Sequence, residues 1–68
     1  MTYQRRLRDL REDHDKTQQQ IADILGTSQT MYARYERGAN ELPLRHLLVL
    51  ADYYGVTVDY LRGRSDEE

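Results

Sequence analysis

Gln29 and Arg34 are the side chains in this 68-residue chain best suited to chemistry, and that chemistry is recognition by hydrogen bonds. A glutamine amide sets a donor beside an acceptor, which matches the edge of adenine. An arginine fork offers parallel donors, which match guanine or a phosphate. At helical spacing Ser28, Gln29, Thr30, Ala33 and Arg34 fall on one face, and Tyr32 and Tyr35 fall on the other. Thr30 and Ala33 fit a thymine methyl, or simply allow close approach. Catalysis lacks its parts. Asp9, Asp13 and Asp52 have no nucleophile, base and orienter placed around them. His14 and His46, in a chain without cysteine, are too few for a zinc site. No metal, cofactor or small-molecule ligand is expected.

A polar helix face alone is usually a solvated surface, so the elements that hold this one decide its meaning. Thr17 and Gln20 make a T-x-x-Q capping box, the mark of a helix start. Ile21, Ala22 and Leu25 then face inward. Ala22 is small where two helices must cross closely. Gly26 stops the first helix, because glycine takes positive φ without a steric penalty. Ser28 caps the next. Tyr32 and Tyr35 can pack back onto Ile21 and Ala22. Together these features read as a helix-turn-helix whose second helix is shaped to enter the major groove.

The rest of the chain frames this pair. Helix 1 is expected over 2–13, with Tyr3, Leu7, Leu10 and His14 as one stripe and Arg5, Arg6 and Arg8 pointing elsewhere. His14 reads as the capping end of helix 1. Helix 3 should end at Gly38, and Pro43 should open helix 4 after a loop over 39–42. Leu44, Leu47, Leu48, Ala51 and Tyr54 form the expected buried stripe of helix 4, and His46 is expected to face solvent. Gly55 closes that helix. Thr57 caps a short helix 5, Val56 and Leu61 staple it, and Gly63 ends it. The fold class is all-α, a compact five-helix bundle. Residues 1–63 form one domain, and 64–68 form a short charged tail.

Composition narrows the partners. The net charge is −2, which disfavours loose, sequence-independent binding to nucleic acid. The distribution is uneven, however. Residues 1–37 hold seven Arg/Lys against six Asp/Glu, and residues 38–68 hold three against six. The basic side chains thus gather toward the helix-turn-helix. No apolar run approaches membrane-spanning length. A core this small needs help, and without disulfides or metal the remaining staple is oligomerisation.

The chain resembles the phage repressor and Cro-like helix-turn-helix family, the Xre type. The resemblance rests on Leu7-x-x-Leu10-Arg11, Thr17-Gln18-x-x-Ile21-Ala22-x-x-Leu25-Gly26, Tyr35-Glu36-Arg37-Gly38, Leu50-Ala51-x-x-Tyr54-Gly55-Val56 and Asp59-Tyr60-Leu61-x-Gly63. It covers about residues 3 to 63 and implies a lambda-repressor-like DNA-binding domain. By position, Ser28, Gln29, Thr30, Ala33 and Arg34 match base-contacting residues. Thr17 and Gln18, at the start of helix 2, and Arg37 match phosphate-contacting residues. Arg11 and Glu36 match a structural ion pair. Two positions depart from the pattern. Lys16 stands where an apolar residue is usual, and Tyr32 stands where a branched aliphatic is usual, so its hydroxyl needs an outlet.

The resemblance implies a sequence-specific transcriptional regulator, a repressor, in a bacterial or phage-encoded cytoplasmic setting at the nucleoid. Its partner would be double-stranded operator DNA, palindromic and read by a homodimer. Tyr53, Val58, Tyr60 and Leu61 are the expected dimer residues. The rival readings are a DNA-binding antitoxin and a protein-interaction module on the same fold.

Overall fold

A computed structural model describes residues 2–63. It contains five helices: α1 (Tyr3–Asp13), α2 (Gln18–Leu25), α3 (Gln29–Glu36), α4 (Leu44–Tyr54) and α5 (Val58–Leu61). No strand occurs among the described residues. Residue 1 and the expected tail over 64–68 lie outside them.

Short polar side chains begin four of the helices. Thr2, Thr17, Ser28 and Thr57 each accept a hydrogen bond from a backbone N–H in the first turn of α1, α2, α3 and α5. At Thr17 the box closes both ways. Thr17 Oγ1 accepts from Gln20 N at 3.1 Å, and Gln20 Oε1 accepts from Thr17 N at 2.8 Å. Pro43 stands at the N-cap of α4 and contributes no side-chain bond. Gly26 ends α2 at φ +73°, which lets Thr27 N reach Ala22 O at 2.9 Å and satisfies a terminal carbonyl. Gly38 does the same two residues past α3, with Ala39 N bonded to Arg34 O. The turn between α2 and α3 is therefore short and fixed in direction.

Leu7, Ile21, Ala22, Tyr32, Leu50 and Leu61 are fully buried, and Leu10, Leu25, Tyr35, Leu42, Leu47, Ala51 and Tyr54 complete the core. α2 packs most heavily on α3, while α1 lies against both α3 and α5. The bundle positions α3 by burying its Tyr32 and Tyr35 face.

The structure corrects the reading at several positions. Leu44 and Leu48 are exposed, at 61% and 54%, so they are not part of the buried stripe of α4. That stripe is His46, Leu47, Leu50, Ala51 and Tyr54. His46 is accordingly buried instead of solvent-facing, with its ring edge-on to Tyr35 at 5.9 Å. Burial, helped by the neighbouring Arg45, pushes its pKa down. Arg6 also turns inward. Its guanidinium stacks on the Tyr60 ring at 4.1 Å and Nη1 donates to Tyr60 O at 2.9 Å, tying α1 to α5. Leu61 is wholly inside the core and is unavailable as a dimer contact.

Candidate nucleic-acid interface

Residues from three helices converge beside the outer face of α3. Arg11, on α1, forms a forked pair with Glu36 at the end of α3. Nε donates to Oε2 at 2.7 Å and Nη2 donates to Oε1 at 3.2 Å. The third nitrogen, Nη1, donates to Lys16 O at 2.9 Å. The two side chains are only 13% and 6% exposed. Burial alone would raise the Glu36 pKa, but hydrogen bonds from Arg11 and Gln18 outweigh it and hold the carboxyl below its ordinary range. The Tyr32 hydroxyl leans on the same carboxylate without hydrogen-bond geometry and makes a polar contact only. Burial first, and Glu36 second, push that phenol well above its usual pKa.

The network continues outward. Gln18 Nε2 donates to Glu36 Oε1 at 3.2 Å, and Gln29 Nε2 donates to Gln18 Oε1 at 2.7 Å. An unbroken chain therefore runs from α1 through the end of α3 and the start of α2 to the first residue of α3. The amide of Gln29 spends one of its two N–H bonds on Gln18. The other N–H and Oε1 remain, and they form the edge that a bidentate contact uses. Gln18 thus fixes the orientation of Gln29 before anything binds.

Around this network the described polar side chains are open. Thr30, Arg34 and Arg37 are exposed and Ala33 is half-buried. Ser28 is exposed, and its Oγ accepts from Met31 N at 3.1 Å, which leaves its O–H and one lone pair for a further contact. Thr17 is likewise occupied by its capping box. A groove of about 410 Å³ lies between α1, α2 and α3, lined by Arg8, Arg11, Glu12, Gln18, Ala33, Glu36 and Arg37. Arg11 neutralises Glu36 and Arg8 meets Glu12, so Arg37 is the cation the groove offers to an anion without an ion-pair partner among the described residues. Arg8, expected only to point away from the apolar stripe of helix 1, also lines this groove. It follows Leu7 and sits one helical turn before Arg11, and that spacing was the available signal. It also meets Glu12 at 3.5 Å in an exposed pair. The structure does not bring Tyr53, Val58 and Tyr60 to this face. Val58 and Tyr60 pack partly against the core. No group of His, Cys, Asp or Glu among the described residues is arranged to hold a metal ion.

Two short helices joined by a tight glycine turn, the second held by the first and bearing a network-fixed polar face, define a helix-turn-helix module. The chain belongs to the helix-turn-helix family, whose model matches residues 7–61. It is 40% identical to the uncharacterized HTH-type transcriptional regulator YobD of Bacillus subtilis over 96% of its own length and 58% of that protein. It is 38% identical to the cryptic phage CTXphi transcriptional repressor RstR of Vibrio cholerae, over 94% of the chain and 57% of RstR. The chain thus spans a little over half the length of these relatives. The crystal structure of a transcriptional regulator from Listeria innocua superposes with a TM-score of 0.90 at 27% identity, over 98% of this chain and 63% of that one.

Proposed function

We propose that this chain is a sequence-specific DNA-binding module of a transcriptional regulator, acting as a repressor. α3 enters the major groove, and two copies read a two-fold symmetric operator. The carrying observation is the Arg11–Glu36–Gln18–Gln29 network. A solvated helix face has no need to hold one glutamine amide in place through three other side chains. A reading helix does, because a fixed amide forms a bidentate contact without first losing rotamer freedom. Thr30, Ala33 and Arg34 continue that face, while Gln18, Arg8 and Arg37 flank it at the height of the backbone phosphates. The names of YobD and RstR, a regulator and a repressor, support the same reading.

No helix among the described residues is long and apolar enough to cross a membrane. Independently of that, a module that reads DNA works where the DNA is, and the proposed role puts this one in the cytoplasm. Titrations of matched and singly mismatched duplexes test the assignment. Gln29→Ala and Arg34→Ala should each cost about 1–3 kcal/mol on the matched site and relax preference at one base position. Uniform loss on every duplex would put these residues on the backbone and remove the reading register.

A further inference from the structure

The outer face of α4 is apolar and largely uncovered among the described residues, with only Tyr53 at its end meeting rings of the same chain, His14 at 6.4 Å and Tyr54 at 5.2 Å. Leu44 is 61% exposed, Leu48 54%, Val49 41% and Tyr53 38%, and Arg45 and Asp52 are exposed between them. These six residues follow the spacing i, i+1, i+4, i+5, i+8, i+9, which covers the whole half of the helix turned away from the core. Four large apolar side chains on one three-turn helix are more than scattered surface hydrophobics.

The order of the six identifies the occupant. Their sequence positions are symmetric about the point between Leu48 and Val49. If a second α4 is laid antiparallel across the first, Leu44 faces Tyr53, Leu48 faces Val49 and Arg45 faces Asp52, each pair occurring twice. The charges then meet opposite charges. A parallel arrangement would set Arg45 against Arg45 and Asp52 against Asp52. Neither side chain forms an ion pair within the chain among the described residues, so both are available.

We propose that α4 is the self-association surface of this protein, and that a second copy docks on it antiparallel through Leu44, Leu48, Val49 and Tyr53 with two Arg45–Asp52 bridges. This deepens the two-copy reading above and replaces Val58, Tyr60 and Leu61 as the contact. An isologous interface needs such self-complementarity. α4 has 11 residues, roughly 16 Å of helix, so the contact is smaller than a standard interface. The dimer is therefore weak in free solution and strengthened when two copies share one duplex.

Charge exchange tests the proposal without DNA, so that it stands or falls separately from operator reading. Sedimentation equilibrium of the intact chain should show reversible dimerisation. Arg45→Asp and Asp52→Arg should each weaken it tenfold or more, since each places like charges opposite, and the double exchange should restore it to within about threefold. Leu48→Glu should abolish it. Thermal melts confirm that each variant is folded, and titration on a single half-site confirms that it still binds DNA. The chain has no cysteine, so Leu48→Cys gives a single thiol beside the axis, which should oxidise to a dimer far faster than the terminal Leu44→Cys. A chain that stays monomeric at millimolar concentration, or single exchanges that leave dimerisation unchanged, would overturn the proposal. A double exchange that fails to recover would exclude the antiparallel pairing.

Discussion

The Glu36 carboxylate is the residue on which the site turns, because it takes hydrogen bonds from two other helices, from Arg11 of α1 and from Gln18 of α2. Both members of the Arg11–Glu36 pair are largely covered yet near the surface. Removing either strands the other, at a cost of about 3 kcal/mol, the lower edge of the range for buried pairs. Urea melts of Arg11→Met, Glu36→Gln and the double variant should show coupling above about 1 kcal/mol, and strict additivity would mean the pair contributes nothing. The pH dependence follows in sign. The folded carboxyl is held below its ordinary value of 4.5, so its contribution is complete above that pH. It is lost as pH falls through the lower folded value. Glu36→Gln should flatten that acid limb of the stability curve. Tyr32 makes the opposite case. Its hydroxyl is buried without a hydrogen-bond partner among the described residues, so Tyr32→Phe should leave stability within about 1 kcal/mol, in the stabilising direction. A loss of more than about 2 kcal/mol in a thermal melt would show that the contact with Glu36 is a true bond. The sequence made the need for an outlet visible, since a phenol stands at a core position. It could not show that the outlet is incomplete, because that depends on a geometry set by three helices.

Among the elements, the α2–α3 turn tests most cleanly, because Gly26 has positive φ and a Cβ there would touch nothing within 4 Å. Gly26→Ala should therefore cost only the left-handed backbone penalty, about 1–2 kcal/mol, with no clash added. A larger loss in urea melts would mean that the turn deforms and carries α3 with it. The capping residues and the turn were legible because each acts within a few residues of itself. The phase of α4 was not. Leu44, Leu47, Leu48, Ala51 and Tyr54 fit a helical stripe as well as His46, Leu47, Leu50, Ala51 and Tyr54 do; the two share three residues, and hydrophobicity favoured Leu44 and Leu48 over His46. The burial of His46 comes from Tyr35, and the inward turn of Arg6 comes from Tyr60, eleven and 54 residues away in sequence. Local periodicity carries no information about such partners. The same misphasing hid the apolar outer face of α4.

At the scale of the whole molecule, the net charge of −2 coexists with a slight basic excess over residues 1–37, because seven of the ten Arg/Lys lie there while the Asp/Glu divide six and six. Nonspecific attraction is weak in such a protein, so the proposed binding would depend on the contacts of α3 and on two copies acting together. Arg37→Ala should lower affinity for all duplexes alike and reduce the slope of log affinity against log salt by about one. An unchanged slope would remove Arg37 from the phosphate contacts. The central claim is that α3 reads sequence with Gln29 held by Gln18. Selection of bound duplexes from a random library, run in parallel for the unaltered chain and for Gln29→Ala, tests it most directly. The account predicts an enriched palindrome with half-sites about 10 base pairs apart, and loss of preference at one symmetric pair of positions in the variant. No enrichment at low salt, or the same palindrome from both proteins, would contradict it.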